Sequence, residues 1–352
     1  MQFGGLISAL RPLLVINYCM DEDDPLLSHQ VQTVNSLSQK FEIVYVVTGR
    51  VGKFSSPSNV HVFSSDWRTG ERVRNIIKFL FVVFPIVTKK NPVSVFSHMT
   101  EVQTSLIAPL TKFLRIRHYL WYAHAHKSVY LNWARFWVTG IITSTKGSCP
   151  IQGPKVFVIG QAIDSEVYRF SPRESNDFNK LVHIGRFDPS KNIEHIIRST
   201  KEFRKCNPYV SLTLIGEPST LFAKKEAQKI LDKYHTEISE GWLNFKGSIP
   251  RSNIHTELLK YDCFVHAYSG SLDKTLIEAT MVGLPIATIN PEYLTEFGNW
   301  SRTSPVSLLG ELNALKKAKS KQLALELLNR RAISKTMHSL EHWSKVLSDI
   351  LS

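Results

Sequence analysis

Short apolar runs rich in Val and Ile alternate along the chain with segments in which apolar residues recur every three or four positions. The first pattern predicts β-strands and the second predicts amphipathic helices. Their alternation predicts parallel sheets built from βαβ units. The predicted strands are 13–17, 42–48, 94–96, 118–122, 140–143, 156–159, 181–184, 211–215, 242–245, 263–267 and 286–289. The clearest predicted helices are 192–206, 220–235, 252–261 and 274–282.

The polar stretch 165–180 has neither helical nor strand period and separates two strand-rich halves. We therefore expect two Rossmann-like domains, 1–165 and 166–333. The tail 334–352 has apolar residues at spacings of three and four, which predicts a helix that crosses back to pack on the first domain. Doubly wound sheets bind ligands beyond the carboxyl ends of their strands, so two such domains facing each other would line a central cleft.

The stretch 270–285 runs from a Gly-Ser loop into a predicted helix and ends on Gly-Leu-Pro before an apolar strand. A helix N-terminus presents unpaired backbone N–H groups and the positive end of the helix dipole, which suits a phosphate. Glu278 follows about one turn later. There a carboxylate could accept hydrogen bonds from the ribose of a nucleotide. An ordinary αβ unit with an exposed Glu278 fits the same spacing.

Composition narrows the classes of protein. The chain has 352 residues, of which 43% are hydrophobic, enough for two cores. The longest apolar run, 79–87, is shorter than the roughly 20 residues that span a bilayer. The first residues lack a convincing cleavage site, so we predict no signal peptide. The four cysteines form no Cys-x-x-Cys pair, which predicts neither a disulfide framework nor a zinc site and favours the cytoplasm.

The net charge of +13 is concentrated in residues 51–150, with 13 Lys and Arg against 3 Asp and Glu. Cations flank the apolar run 79–87, namely Arg68, Arg72, Arg74, Lys78, Lys89 and Lys90. Such a pattern suits the anionic inner face of a membrane, at about 1 kcal/mol per cation. A core-facing helix with a solvated basic edge fits it as well. A basic face also suits nucleic acid, but no nucleic-acid motif accompanies the charge, so we expect no such partner.

Four segments carry a resemblance to a known family: VIGQAID with YRF (158–164 and 168–170), IGRFDPSKN (184–192), LIGE (214–217) and the stretch 270–285. Together they resemble glycosyltransferases of the GT-B architecture, and most closely the retaining glycosyltransferase family 4. The resemblance covers most of the chain and departs from the family pattern at Ala162, where Gly is usual. It implies an acceptor-side first domain and a second domain that binds a nucleotide sugar.

Arg186 and Lys191 come directly after a predicted strand, where two cations could hold a donor diphosphate. They could also be surface cations near a helix start. The family's matching residues neutralise the leaving diphosphate without a metal, so the resemblance makes both catalytic candidates and implies no cofactor. The resemblance also places Gly185 in the phosphate site. The backbone amides of Lys274, Thr275 and Leu276 would contact the phosphates, and Glu278 would bind the ribose.

The first Glu of the family's Glu-x7-Glu motif, which helps hold the donor sugar, falls at Gly270 in this chain. The sugar contacts must therefore differ. We expect Ser269, Gly270 and Ser271 to supply backbone groups instead, since glycine allows close approach of the chain to a ligand.

His124 follows an apolar strand, where family relatives place a cleft histidine, and is predicted to contact the donor sugar or the acceptor. His29, His98 and His126 are further acceptor-side candidates. Each of these histidines could instead form a local structural hydrogen bond. His124 and His126 could be a pair of metal ligands, but the sequence shows no cluster of further ligands beside them. An Asp-x-Asp metal site at 21–23 fits less well than a helix-starting loop, so we predict no metal.

We therefore predict a metal-independent enzyme that moves a sugar, with retention, from a nucleoside diphosphate donor to an acceptor. The basic region favours an acceptor that is a lipid-linked glycan or glycolipid, and a peripheral location at the membrane. Three alternatives remain: a nucleotide-sugar epimerase of the same architecture, a non-catalytic relative that binds the nucleotide sugar, and a nucleic-acid binder. The donor sugar, base, linkage and oligomeric state do not follow from the sequence.

Overall fold

The structure, a computed structural model, describes residues 12–24, 27–171 and 178–352. The chain divides into two compact units. Unit 1 contains the residues up to Ile159 together with Trp343–Ser352, and unit 2 contains Gly160–His342.

Unit 1 is built on a parallel sheet of seven strands. The strands are β1 (Leu13–Met20), β2 (Val44–Val51), β3 (Val60–Ser64), β4 (Ser94–His98), β5 (Arg117–Trp121), β6 (Gly140–Thr143) and β7 (Val156–Val158). Their spatial order is β3-β2-β1-β4-β5-β6-β7, a doubly wound arrangement that starts from β1 and β4 in the middle. The predicted strands of this half are confirmed, and β3 is an addition.

One face of this sheet is covered by a layer of three helices: α2 (Arg72–Pro85), α3 (Glu101–Phe113) and α4 (Val129–Ala134). The strand register places Ile16 and Leu120 on the same face. Ile107 of α3 packs in one buried cluster with Ile16 and with α2. The adjacent Ala108 packs in a second cluster with Leu120 and with α4. The helix α3 therefore lies between α2 and α4 on this face.

The opposite face carries α1 (His29–Ser38) and the last helix, α13 (Leu340–Leu351). Trp343 of α13 is 1% exposed, and its ring centroid lies 6.2 Å from that of Phe96 and 5.5 Å from that of Trp121. The Ser94 hydroxyl donates to the Leu351 carbonyl at 2.8 Å. The last helix thus completes the core of unit 1.

Unit 2 has a parallel sheet of five strands in the order β10-β9-β8-β11-β12. The strands are β8 (Lys180–Ile184), β9 (Ser211–Ile215), β10 (Leu243–Phe245), β11 (Cys263–His266) and β12 (Ile286–Thr288). The helices are α5 (Ile193–Arg204), α6 (Leu221–Lys233), α7 (His235–Ser239), α8 (Ile254–Leu258), α9 (Lys274–Met281), α10 (Pro291–Phe297), α11 (Leu308–Lys317) and α12 (Ser320–His338). All five strands were predicted, and those buried almost throughout, β8, β11 and β12, have the near-continuous apolar runs expected of strands covered on both faces.

The predicted domains end at residues 165 and 333, whereas the two units change over after Ile159 and after His342. The predicted helix over 334–352 is two helices, because Ser339 adopts an extended backbone (φ −66°, ψ 151°) between α12 and α13. The amide of Ile163 donates to the His338 carbonyl and the amide of Leu340 donates to the Ile163 carbonyl, which ties residues 160–163 to unit 2. Part of the predicted linker, 172–177, lies outside the described residues. Within the described ranges, no helix is both long and apolar enough to cross a bilayer.

Candidate functional site

The loops after β8, β9 and β10 meet backbone to backbone at one edge of the unit 2 sheet. The Gly185 amide donates to the Ile215 carbonyl at 3.0 Å, and the Gly216 amide donates to the Gly247 carbonyl at 2.8 Å. A Cβ atom added at Gly216, whose φ is +145°, would lie 1.9 Å from the Gly185 carbonyl oxygen. This is the edge formed by the carboxyl ends of parallel strands, where doubly wound sheets bind their ligands.

Helix α9 starts at this edge, and Lys191 is bound to its first turn. Asp273 is the residue before the helix, but among the described residues its side chain accepts no capping hydrogen bond from an amide of the first turn. Its carboxylate instead accepts two hydrogen bonds from the Lys191 Nζ, at 2.8 and 2.5 Å. The Lys191 side chain is 8% exposed. The structure therefore brings together the predicted phosphate-binding lysine and the predicted phosphate-binding helix terminus.

A buried histidine, His266, contacts the carboxylate of this ion pair. The Nε2 atom of His266 lies 3.0 Å from the Asp273 carboxylate, and its Nδ1 atom lies 3.2 Å from the Thr288 hydroxyl. Burial lowers the pKa of His266, against the opposing effect of Asp273. Burial alone would raise the pKa of Asp273, but His266 and Lys191 lower it below its usual range. The carboxylate is therefore charged and fixed between two partners.

Glu278 is fully buried in α9, which rules out the exposed carboxylate of an ordinary αβ unit. Its Oε1 atom accepts a hydrogen bond from Arg251. Its Oε2 atom is buried and no donor of the described residues lies within 3.5 Å of it, although the Tyr168 hydroxyl is close enough to interact with the carboxylate. Burial, followed by the charge of Glu278, raises the pKa of Tyr168, which belongs to the first of the four family segments. A buried carboxylate oxygen without a donor is costly unless a ligand supplies one.

Lys274, the first residue of α9, is a partly buried cation near Glu278 and Arg251. Burial, aided by the charge of Arg251, lowers its pKa to about 7, although Glu278 opposes the shift. The amide of Leu276 donates to the Asp273 carbonyl at 3.2 Å, so it is not available to a phosphate as predicted. The amides of Lys274 and Thr275 remain the candidates in this turn.

The structure shows what a side chain at residue 270 would meet. A Cβ atom at Gly270 would lie 2.1 Å from the hydroxyl oxygen of Tyr268, so the tyrosine ring occupies the space of a longer side chain at 270. The Lys191 Nζ lies 3.8 Å from the centroid of that ring. The side-chain amide of Asn290 donates to the carbonyls of Tyr268 at 2.9 Å, Gly270 at 3.2 Å and Ser271 at 3.3 Å. The Asn290 side chain thus ties three carbonyls of the loop before α9 to one point.

We expect Gly270→Ala to lower the free energy of unfolding by about 1–3 kcal/mol, because its Cβ must displace the Tyr268 ring. In a Tyr268→Ala background the substitution Gly270→Ala should cost much less, because alanine at 268 leaves the space empty. Urea unfolding of Gly270→Ala, Tyr268→Ala, the double variant and the wild type measures this coupling. Equal losses for Gly270→Ala with and without Tyr268→Ala would contradict the steric explanation.

Arg186 follows β8 in the same edge of the sheet but is not bound to α9 as Lys191 is. Its guanidinium lies 3.2 Å from the Asp188 carboxylate, and its side chain is 48% exposed. Asp188 in turn accepts hydrogen bonds from the amide and hydroxyl of Ser219 at 3.1 and 2.7 Å. The cation is therefore held on the β8 loop next to the β9 loop.

Ser269 is exposed and Ser271 is buried in the loop before α9.

The histidine candidates all lie in unit 1, in two places. His124 and His126 are exposed in the loop that follows β5, where the His126 carbonyl accepts a hydrogen bond from the Tyr122 hydroxyl at 2.6 Å. His98 ends β4 and is 4% exposed. Its ring centroid lies 5.7 Å from that of His29, the first residue of α1. The structure therefore pairs His29 with His98 and places His98 within an aromatic core.

Sequence reasoning missed several residues of this site. Asp273, Tyr268 and Arg251 contact the predicted residues directly, and His183 lies beneath Gly185. Asp273 had a signal, because an Asp before a helix start is a common cap. Its actual role, as partner of a lysine 82 residues earlier, has no local signal. Among the described residues, no three His, Cys, Asp or Glu side chains are grouped as a metal site would require.

Known proteins resemble this chain in part of its sequence and in its fold. Residues 164–297, which contain the candidate residues of unit 2, match the family model described as glycosyl transferases group 1. None of the curated proteins compared with the chain matches it significantly.

Several solved structures are similar over nearly the whole chain. HepE of Anabaena in complex with UDP and glucose has 16% identity and a TM-score of 0.74, and the match covers 96% of this chain and 98% of HepE. The complex of HepE with UDP-glucose has 17% identity and a TM-score of 0.73, covering 97% and 99%. Sucrose-phosphate synthase of Thermosynechococcus elongatus has 13% identity and a TM-score of 0.76, covering 97% and 98%. The fold is thus that of GT-B proteins, with two parallel-sheet α/β domains, and with the family match it supports a GT-B glycosyltransferase.

Proposed function

We propose that the protein transfers a sugar, with retention and without a metal, from a nucleoside diphosphate sugar bound by unit 2 to an acceptor. The observation that carries the proposal is the junction at α9, where Lys191 meets the helix start and a buried oxygen of Glu278 has no donor at hydrogen-bond distance in the described part of the chain. A diphosphate at the helix start and a ribose hydroxyl at Glu278 would complete this junction. The complex of HepE with UDP-glucose makes that nucleotide sugar the first donor to test.

The chemistry follows from the charges of the site. The bond between the anomeric carbon and the diphosphate oxygen breaks as the acceptor oxygen forms its bond to the same carbon on the same face. The negative charge that grows on the diphosphate is stabilised by Lys191, Arg186 and the amides that begin α9, with Gly185 allowing close approach. A diphosphate oxygen takes the acceptor proton. These fixed groups remove the need for a metal, and Ser269, Gly270 and Ser271 would line the sugar with backbone groups.

His124 is the proposed contribution of unit 1 to the sugar or the acceptor, and His126, His29 and His98 are its other acceptor-side candidates. The exposed position of His124 after a central strand suits a group that meets a ligand. The buried ring of His98 suits an indirect role, through His29.

We propose a lipid-linked acceptor, because unit 1 exposes an apolar stripe suited to a membrane surface. The stripe, called the α2 surface, consists of Val73, Ile77, Phe81 and Phe84, which are 72%, 62%, 82% and 53% exposed. Their spacing of three and four residues puts them on one side of the helix. Cations precede and follow this stripe in the sequence, and the protein would bind the bilayer peripherally there.

The six predicted cations of this region differ in availability. Arg68, Arg74 and Lys78 all form ion pairs with Asp66. Hydrogen bonds from these three cations lower the pKa of Asp66 below its usual range, so it stays charged and offsets part of their charge. The others, which are exposed, carry the proposed attraction to anionic lipid: Arg72, Lys89 and Lys90.

The function is tested by incubating the protein with UDP-glucose and EDTA, with and without a panel of lipid-linked glycans. We expect UDP to raise the melting temperature in EDTA, because fixed cations rather than a metal hold the diphosphate. We also expect UDP release only with an acceptor, and an α-linked product by NMR. An epimerised donor without acceptor would favour the epimerase, and UDP binding with no transfer would favour a non-catalytic binding protein. Loss of UDP binding in EDTA that is restored by Mg²⁺ would contradict metal independence.

A further inference from the structure

A second exposed apolar surface lies on unit 1, apart from the α2 surface. It is formed at the end of α3 and along α4 by Phe113, Val129, Tyr130, Trp133 and Phe136, which are 84%, 81%, 45%, 50% and 59% exposed. We call it the α4 surface. Isolated exposed apolar residues are common, but five large side chains within one short region are not, and such patches mark interaction sites.

The α4 surface is built on a firm base. Leu131 and Ala134, on the other side of the helix, are fully buried against Leu120 and Ile141. Ser128 caps the helix by accepting a hydrogen bond from the Leu131 amide, and the indole of Trp133 donates to the Ser105 carbonyl at 3.1 Å. The exposed apolar side chains therefore belong to a helix that is packed and capped, and their exposure does not come from fraying of the helix.

The α4 surface and the α2 surface belong to the same layer of the fold. Both helices pack on the sheet face that holds Ile16 and Leu120, with α3 between them. The exposed side of each helix therefore points away from the same face of the sheet. A flat partner that contacted one surface would lie close to the other.

The charge near these helices selects the kind of partner. Residues 72–136 contain 10 Lys and Arg and a single acidic residue, Glu101. Of these cations, Arg74 and Lys78 pair with Asp66, and Arg117 donates to the Leu351 carbonyl on the opposite face. Two of these cations stack on aromatic rings at the α4 surface: the Lys112 Nζ is 5.4 Å from the Trp137 ring centroid and the Arg135 guanidinium is 4.7 Å from that of Phe136. Trp and Tyr beside cations are typical of the interface between lipid headgroups and acyl chains.

From these observations we infer that the α4 surface is a second membrane-binding site, which inserts into an anionic bilayer together with the α2 surface. The inference rests on the proposed function, in which the acceptor is carried by a membrane. Two separate contacts on one layer would fix the orientation of unit 1 on the bilayer, which a single helix would leave free to rotate. The partner is thus a lipid surface, and its negative headgroups would meet the exposed cations Arg72, Lys89 and Lys90 and those beside the α4 surface, Lys112 and Arg135.

The experiment is co-sedimentation of the whole chain with vesicles of phosphatidylcholine and phosphatidylglycerol, and with vesicles of phosphatidylcholine alone. The α4 variant carries Phe113→Ser, Val129→Ser and Phe136→Ser, all at exposed positions. The matched control carries Tyr209→Ser, Leu221→Ser and Phe222→Ser in unit 2, where the three side chains are 87%, 80% and 66% exposed. We expect the α4 variant to bind the anionic vesicles about tenfold more weakly, and the control to bind as the wild type does.

A direct readout of insertion uses Val129→Cys labelled with an environment-sensitive fluorophore, in a Cys206→Ser background that removes the exposed native thiol. Its emission should shift to shorter wavelength on anionic vesicles, and the same label at Tyr209→Cys should not shift. Thermal stabilisation by UDP, measured on every variant, verifies that unit 2 is intact.

The outcomes separate this inference from the proposed function. Wild type that binds anionic vesicles, with an α4 variant that binds equally well and a label that does not shift, would overturn the inference and leave the lipid-linked acceptor standing. Wild type that binds neither vesicle would overturn both membrane proposals, while sugar transfer to a soluble acceptor would still support the enzyme. Wild type that ignores vesicles but forms a dimer which the α4 variant abolishes would show a self-association surface and would also overturn the inference.

Discussion

Replacing Lys191 with Met should lower kcat for sugar transfer by about a hundredfold or more, the usual effect of removing one group that stabilises transition-state charge. The ammonium group is held at the start of α9 by Asp273 and covered by the Tyr268 ring. It is therefore fixed before the donor arrives and needs no rearrangement as negative charge grows on the diphosphate. Methionine keeps much of the side-chain volume and removes the charge.

The single variant also leaves the Asp273 carboxylate without its cation, so a second variant is needed. Lys191→Met with Asp273→Asn removes both charges and restores neutrality at the helix start. Both variants should show the loss of kcat if the cation itself acts on the diphosphate. Recovery of kcat in the double variant would instead mean that Lys191 only neutralises Asp273. Lys229→Met, at an exposed lysine of unit 2, is the control for loss of a surface charge.

Replacing Glu278 with Ala should destabilise unit 2 by about 3 kcal/mol, because it leaves the Arg251 guanidinium without its partner. Arg251 is 24% exposed and Glu278 is fully buried, so water cannot fully replace the carboxylate. Glu278→Gln should keep most of the stability, since the amide oxygen can still accept from Arg251. It should raise the dissociation constant of UDP about tenfold or more, because a charge-assisted hydrogen bond to the ribose is lost.

Glu257 provides a matched control for this prediction. It is a second glutamate of unit 2 at 4% exposure, and it pairs with Lys246 and Lys260. Glu257→Gln should leave the dissociation constant of UDP unchanged. Calorimetric titration with UDP and urea unfolding measure the two effects separately. If Glu278→Gln binds UDP as the wild type does, the carboxylate is structural and its Oε2 atom is not a ribose contact.

The sheets were predictable from the sequence to the extent that their strands are buried. In unit 2, β8, β11 and β12 are buried along nearly their whole length, and the resulting apolar runs are visible without knowledge of the fold. β3 was missed because it is largely exposed: Phe63 is 41% exposed, and polar residues interrupt the run. The break at Ser339 was missed because the apolar spacing continues through it.

The site was predictable where one element carries the signal and not where two distant elements meet. The helix start at 274 and Glu278 lie on one segment, so local spacing located them. The partner of Glu278 is Arg251, from a short turn 27 residues earlier, and no periodic pattern connects the two. Likewise, Gly270 was recognisable as a departure from a family pattern, but only the fold reveals that the Tyr268 ring fills the space.

The return of α13 to unit 1 has a consequence for biosynthesis. Trp343 and Leu351 are needed to close the face of the first sheet that holds Phe96 and Trp121, yet the ribosome makes them after all of unit 2. Domains usually fold in the order in which they are synthesised. Here part of the aromatic interior of unit 1 stays open to water until α13, which follows unit 2 in the chain, has been synthesised.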